Sequence, residues 1–522
     1  MILVKLNESD FEYDLHSLIK AFYPEEEVII DQDPISRMKK KIREQRQHEL
    51  RKSGLSKSEA AKKAASQANN LPLISLFIEV YYKEDSIVIS FKEEGRLLQK
   101  ESIDVNYVNH EAAEERKDTK NRLKKLLYQM FSKQTGKELL WGTLNGIRPT
   151  KIPMAALEEG IPKDKILHDM KETYLISDEK GRMCIDIAQQ EKCLMDLLDV
   201  KDGYSLYIGI PFCPTKCLYC SFTSYPIAKW ESQVGAYLDA LRKEMDFVSQ
   251  AYAGRKLQTI YIGGGTPTSL NAYQLQTLLH MIEARFDLNE LVEFTVEGGR
   301  PDSLTREKLQ VLYDSPVTRI SVNPQTMNQR TLDLIGRSHT VEETKEAFLL
   351  AREIGFDNIN MDIILGLPGE GEEELQYTLS EIQKLMPDSL TVHSLALKRA
   401  ARLTDEYDKY QKIGMHNSDE YMDTAREAAA NMGLFPYYMY RQKNMAGNLE
   451  NVGYSRPGKE GIYNILIMEE KQTILSLGAG GMTKFVTGSR PIRVENVKDV
   501  ANYINRVDEM IERKKEVING IK

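Results

Sequence analysis

Three of the chain's five cysteines, Cys213, Cys217 and Cys220, fall in the stretch GIPFCPTKCLYCSF. A thiolate is a soft metal ligand, and Cys-x3-Cys-x2-Cys on one loop can aim three sulfurs at one point. Two chemistries use such a set. Structural zinc takes a closed shell of four ligands, so Cys184, Cys193 or a distant His would have to complete it. An iron–sulfur cluster is also held by thiolates, and three of them leave one iron open to a substrate or cofactor. Spacing alone leaves both readings standing. Three structural thiols without a metal fit poorly on a loop flanked by Pro211 and Pro214. A second motif, GGGTPT at Gly263 to Thr268, follows the strand-like run QTIYI. Glycines let backbone N–H groups approach an anion closely, although a tight turn would also explain them. Polar residues also stand at or just after the ends of several β-like runs, Glu297, Gln325 and Asp362 among them. Catalytic barrels carry their working groups at the carboxyl ends of strands. Carboxylates and an amide suit sugar hydroxyls, and an Arg suits a carboxylate.

These residues need a scaffold, and the chain of 522 residues is long enough for several domains. The net charge is −8, which excludes a global basic footprint for nucleic acid. No basic n-region with an apolar h-region opens the sequence, and nowhere do about 18 apolar residues run together, so neither a secretory signal nor a membrane span is expected. Few cysteines in odd number point to a reducing, cytoplasmic setting. Residues 1–150 read as an N-terminal α+β accessory domain. It has a helix over Arg37 to Lys63, a hairpin in LPLISLFIEVYYKEDSIVISF and a helix from Asp118 to Thr135. Residues 151–203 read as a helical linker whose Cys184 and Cys193 are expected to be buried thiols. Over 204–400 six β-rich runs alternate with amphipathic helices: YSLYIGI, QTIYIGG, VEFTVEGG, VTRISVNP, NINMDIILG and SLTVHSL. Thr340 with Glu343 forms a capping box opening one helix, and Gly355 stops it. Such βα repetition implies parallel strands with right-handed crossovers, and a partial six-stranded (β/α) barrel. Residues 401–522 read as a mixed C-terminal region covering the substrate.

The cysteine spacing, the aromatic Tyr219 before its last member and the GGGTPT loop together resemble the radical S-adenosylmethionine (SAM) superfamily. That resemblance implies an α/β fold, a 4Fe–4S cluster on Cys213, Cys217 and Cys220, and SAM bound through the fourth iron. It assigns SAM contacts to Gly264, Gly265, Thr266, Glu297, Gln325, Arg337, Asp362 and Ala396. It implies cleavage of SAM to methionine and a 5′-deoxyadenosyl radical, driven by a low-potential donor such as a flavodoxin or ferredoxin. LYIGIPFC and RISVNPQTMNQRTLDLIGRSHT are most similar to the oxygen-independent coproporphyrinogen III oxidase branch, in its HemZ-type form. This implies oxidative decarboxylation of coproporphyrinogen III to protoporphyrinogen IX in haem biosynthesis, with Tyr207 and the three cysteines in catalytic roles. Some members of that branch bind a second SAM, which would lie near Tyr207 and Tyr219. The well-studied oxidases carry His where this chain has Gly209 and Cys where it has Phe222. Arg441, Lys443, Arg456 and Lys459, among Tyr437, Tyr438, Tyr440 and Tyr454, are expected to meet the carboxylates and rings of a tetrapyrrole. Alternatives are another radical reaction on a tetrapyrrole, such as anaerobic haem-opening methyl transfer, and a haem chaperone. The chaperone branch carries HNxxYW, whereas Tyr463 to Met468 here read YNILIM.

Overall fold

The computed structural model describes residues 1–66, 72–105, 113–146, 148–442, 449–488 and 490–521. The chain divides into two compact units, Met1–Gly146 with Glu159–Ile185, and Ile147–Glu158 with Asp186–Lys522. The expected linker is therefore shared between the two units. The first unit holds β1 (Ile2–Leu6), β2 (Val28–Asp31), β3 (Leu76–Tyr82), β4 (Ser86–Glu93) and β5 (Arg96–Asp104). Its sheet runs β2-β1-β3-β4-β5, with β1 parallel to both neighbours and β3, β4 and β5 antiparallel. Ile78, Val80, Ile87, Ile89 and Phe91 pack on one face against Leu123, Leu127 and Phe131 of the helix Ala113–Thr135. The single helix expected over Arg37 to Lys63 is two, Pro34–Lys52 and Lys57–Ser66, because Gly54 takes a left-handed φ of 98° between them.

The second unit begins with β6 (Gly203–Ile210), followed by the two-residue strands β7 (Phe212–Cys213) and β8 (Tyr225–Pro226). Next come β9 (Lys256–Gly264), β10 (Glu293–Glu297), β11 (Arg319–Ser321), β12 (Ile359–Leu365) and β13 (Ser389–Ser394). These five with β6 are the six expected strands, all parallel and adjacent in chain order. Helices such as Ile227–Ala251, Ala272–Glu283, Val341–Ile354 and Glu372–Leu385 make the crossovers. The capping box at Thr340 is present, and Gly355 closes that helix at a φ of 124°. The sheet is extended by β14 (Phe435–Tyr440) and β15 (Asn451–Ser455) beyond β13, antiparallel there. On the other edge a seventh parallel strand, β16 (Thr473–Leu477), pairs with β6 and leads to β17 (Met482–Phe485) and β18 (Ile492–Glu495). The helix Ile462–Glu469 touches both β9 and β14, so the sheet curls round it as a partial barrel.

A wholly buried polar network fixes the end of β6. Lys514 and Glu244, both 0% exposed, pair at 2.7 Å. The other oxygen of Glu244 accepts from Gly478 N at 2.8 Å and Tyr503 Oη at 2.6 Å, and Asn496 Nδ2 donates to Oε1 at 2.8 Å. Tyr237 Oη in turn donates to Gly209 O at 2.6 Å and accepts from Ala479 N at 3.0 Å. A Cβ at Gly478 would stand 2.5 Å from Gly209 O, so only glycine lets this loop lie on the strand end. Each of these side chains has a hydrogen-bond partner within the network, the condition under which a buried charge is tolerated. No helix among the described residues is long and apolar enough to cross a membrane.

Candidate functional site

The cysteine loop leaves the carboxyl end of β6 and returns through β8. Leu218, fully buried, is its apolar anchor. Its N–H donates to Ile335 O at 2.9 Å, and its carbonyl accepts from Leu403 N at 3.0 Å. Thr215 Oγ1 donates to Gly336 O at 3.2 Å and accepts from Arg300 Nη1 at 2.6 Å. Arg300 is itself held by both oxygens of Asp302, at 3.0 and 2.7 Å. Cys217 is buried, and Cys213 and Cys220 are half-buried. Burial pushes the Cys213 and Cys220 thiols up, and the neighbouring sulfurs push them further. Thr266 Oγ1 lies 3.5 Å from Cys213 Sγ. Arg337, buried, donates to Tyr219 and Cys217 and to Asn323 O at 2.5 Å. Among the described residues no three His, Cys, Asp or Glu side chains converge as a ready metal cage. The three sulfurs share a loop and one neighbourhood. Cys184 is buried as expected, but Cys193 is exposed, on the outer face of its helix.

The glycine loop corrects one expectation. Its N–H groups do not form an open anion cradle. Gly264 N–H goes to the Glu297 carboxylate, Gly265 N to Ile210 O at 2.8 Å, and Thr266 N to Phe212 O at 2.7 Å. A Cβ at Gly265 would sit 2.5 Å from Phe212 O, and Gly264 has a φ of 108°. These glycines join β9 to the strand that carries Cys213.

Within the barrel the strands are buried except at single positions. Tyr207 is the one half-exposed residue of β6, Glu297 of β10, Asp362 of β12 and His393 of β13. Tyr261 of β9 is half-exposed between buried neighbours. Those side chains line the accessible interior. Tyr207 pairs in register with Tyr261 and stacks on it with centroids 6.2 Å apart, and Tyr463 stacks on Tyr261 at 4.6 Å. Tyr261 Oη donates to Glu297 Oε1 at 2.5 Å. Burial, with a contribution from Asp362, pushes Glu297 up to about 7 despite that bond. Burial also works to raise Asp362, but His393, Asn360 and Thr391 outweigh it and hold Asp362 below the usual range. His393 Nδ1 is 3.3 Å from Tyr440 Oη. Gln325 follows β11 with a left-handed φ of 70°, its N–H on Asp362 O at 2.9 Å. Its Oε1 is buried without a partner, as are Ser321 Oγ and Asn323 Oδ1 before it. A row of unsatisfied acceptors at one strand end is costly unless a ligand completes it. Ala396 is half-buried in the loop after β13.

Sequence reasoning missed Tyr261, His393, Arg300 and His339. Tyr261 and His393 share a sheet face with Tyr207 and Asp362 through inter-strand register, which the sequence does not display. His339, fully buried with neither ring nitrogen hydrogen-bonded, is driven down to about 3 by burial and by Arg337, which outweigh Asp302 4.0 Å away, so it stays neutral. The expected cationic rim is not at the site. Lys459 pairs with Asp357 at 2.9 Å, and Arg456 N donates to Asp388 O, both just before β12 and β13. Antiparallel β15 brings Ser455 beside Ser389, so whatever follows lands at the opposite end of the barrel from the cysteines. Arg441 is buried, and Lys443 lies outside the described residues. Tyr438 and Tyr440 do line the inside, stacked 6.3 Å apart, and a bulge after Pro436 turns Tyr437 inward too, near Arg319.

Residues 207–382 match the family described as "Radical SAM superfamily". The chain is 45% identical over 405 residues to the "Oxygen-independent coproporphyrinogen-III oxidase-like protein HemZ" of Bacillus subtilis (strain 168), covering 76% of this chain and 81% of that one. It is 34% identical over 309 residues to the "Heme chaperone HemW" of the same organism, covering 58% of this chain and 76% of that one. A solved structure, "Coproporphyrinogen III oxidase (HemN) from Escherichia coli is a Radical SAM enzyme", aligns with a TM-score of 0.48 at 23% identity, over 61% of this chain and 73% of that one. The chain therefore belongs to the radical SAM superfamily. Within it, the chain is a member of the oxygen-independent coproporphyrinogen III oxidase family, in its HemZ-type branch. The cofactors of this class are a 4Fe–4S cluster and SAM. The residues present fit both: three thiols share one loop, a bound cation would offset the upward push on Cys213 and Cys220, and beside them stand unsatisfied buried acceptors.

Proposed function

We propose that the chain is a cytoplasmic radical SAM enzyme that oxidatively decarboxylates coproporphyrinogen III to protoporphyrinogen IX without oxygen. Cys213, Cys217 and Cys220 would hold the cluster. Tyr207, Tyr219, Gly264, Gly265, Thr266, Glu297, Gln325, Arg337, Asp362 and Ala396 would surround SAM. The observation that carries this reading is the line of half-exposed polar side chains inside otherwise buried strands, ending beside the cysteine loop. Cluster and SAM together supply a hydrogen-abstracting radical; the chain's residues bind, orient and exclude water. Glu297 and Asp362 make the interior anionic, which suits the sulfonium and ammonium of SAM. The tyrosine faces of Tyr207, Tyr261 and Tyr463 suit flat rings. Anaerobic incubation with reductant, SAM and coproporphyrinogen III is expected to release carbon dioxide and form deoxyadenosine. Deoxyadenosine without carbon dioxide would keep the class and reject this substrate. The HemW relative favours a second reading, a haem chaperone; one equivalent of haem bound without turnover would establish it.

SAM affinity is expected to depend on pH through Glu297. Its pKa when folded, about 7, lies above the unfolded value, so its contribution to stability is present below the unfolded pKa and is lost as pH rises through about 7. A cation facing the carboxylate reverses that balance. The dissociation constant should tighten as pH rises from about 6 toward 7, by up to about tenfold per unit, then level off. Glu297→Gln should bind weakly with a flat profile. A flat profile for the wild type, measured by calorimetry, would remove Glu297 from the SAM site.

A further inference from the structure

Phe222, two residues past Cys220, is 68% exposed. Its backbone N–H holds the Cys220 sulfur, so its ring stands on the cysteine loop itself. One exposed ring is ordinary, but this one has cationic company. Lys216 is exposed within the loop and close enough to act on Cys220. Gly336 stands between the Arg402 guanidinium and the Lys216 carbonyl, its Cβ position 3.6 and 3.8 Å from them. Arg399 and Arg402 are exposed on the segment that Leu403 pins to Leu218. No carboxylate pairs with Lys216, Arg399 or Arg402 among the described residues. This positive face opposes a chain charge of −8. The remaining thiols, Cys184 and Cys193, are too few to ligate a second cluster as electron relay.

We propose that this face docks a small acidic one-electron donor protein of the flavodoxin class, with Phe222 as the apolar contact and Lys216, Arg399 and Arg402 as the cationic rim. The proposal rests on reading the cysteine loop as the cluster site. With a cluster held by the cysteine loop, the donor's reduced flavin would be oxidised by one electron and the cluster reduced by one, with no bond made or broken between the proteins. The cations are exposed, whereas residues facing the barrel interior are half-buried, which favours a protein over the substrate's carboxylates. Electron-transfer encounters use small surfaces, and complementary charge raises their association rate.

The test uses the full chain, reconstituted anaerobically, with purified flavodoxin. Arg399→Glu/Arg402→Glu and, separately, Phe222→Ser are each expected to weaken flavodoxin binding at least tenfold. The charge-reversal variant should also lose the dependence of binding on ionic strength. Deoxyadenosine formation should fall alike with flavodoxin as reductant and stay unchanged with dithionite. Unaltered flavodoxin binding in both variants overturns the proposal. So does an equal loss with dithionite, which would assign the cations to the substrate. Salt-sensitive binding lost in the variants supports docking even if dithionite yields no deoxyadenosine, a result that counts against the radical reading alone.

Discussion

Cys217→Ala is expected to lose essentially all cluster-bound iron and to form deoxyadenosine at least about a thousandfold more slowly. The reason is the ligand count. Three thiolates already leave one iron open, and two cannot hold the remaining corners. Cys217 is also the buried sulfur of the three and the one that Arg337 contacts, so no nearby group can replace it. Cys213→Ala and Cys220→Ala should behave alike, whereas Cys193→Ala, on an exposed helix face, should retain full iron. Iron and sulfide assays on the four variants, with circular dichroism to confirm folding, check the pattern. Full iron in Cys217→Ala with active SAM cleavage would contradict it.

Lys514→Ala is expected to cost about 3–5 kcal/mol of stability, because it leaves the Glu244 carboxylate buried and uncompensated. The effect should reach the site. Glu244 holds Gly478, and the next residue, Ala479, shares Tyr237 with Gly209, immediately before the cysteine loop. Iron retention during mild urea treatment should fall together with the unfolding midpoint. Lys514→Met combined with Glu244→Gln should recover much of the loss, since no net charge then stays buried. Urea titrations of the two variants decide it. An unchanged midpoint for Lys514→Ala would show that the pair contributes nothing.

The six parallel strands were legible because each is a short apolar run, five of them closed by glycine or proline, with a helical pattern between runs. The seventh, TILSL, is the same kind of run but pairs with β6, far back in the chain, and local patterning carries no information about such pairing. The break at Gly54 was visible as Ser-Gly inside a helical pattern, yet the surrounding charge and alanine content outweighed it. The cysteine motif was legible because its spacing is local. Arg456 and Lys459 misled for the opposite reason: closeness to Tyr454 in sequence says nothing about which barrel end an antiparallel strand points to. The glycine run was legible as a close approach, but what approaches is the cysteine strand. Tyr261 and His393 share a sheet face with Tyr207 and Asp362, but that follows from the register of β6 with β9 and of β12 with β13, which local patterning does not carry.

The central claim is that the cysteine loop carries an iron–sulfur cluster open at one iron. The most direct test is anaerobic purification followed by iron and sulfide analysis, with the electron paramagnetic resonance spectrum recorded before and after SAM addition. About four irons and four sulfides per chain are expected, with a reduced-cluster signal whose shape changes when SAM binds. A single zinc ion with no sulfide and no such signal would contradict it.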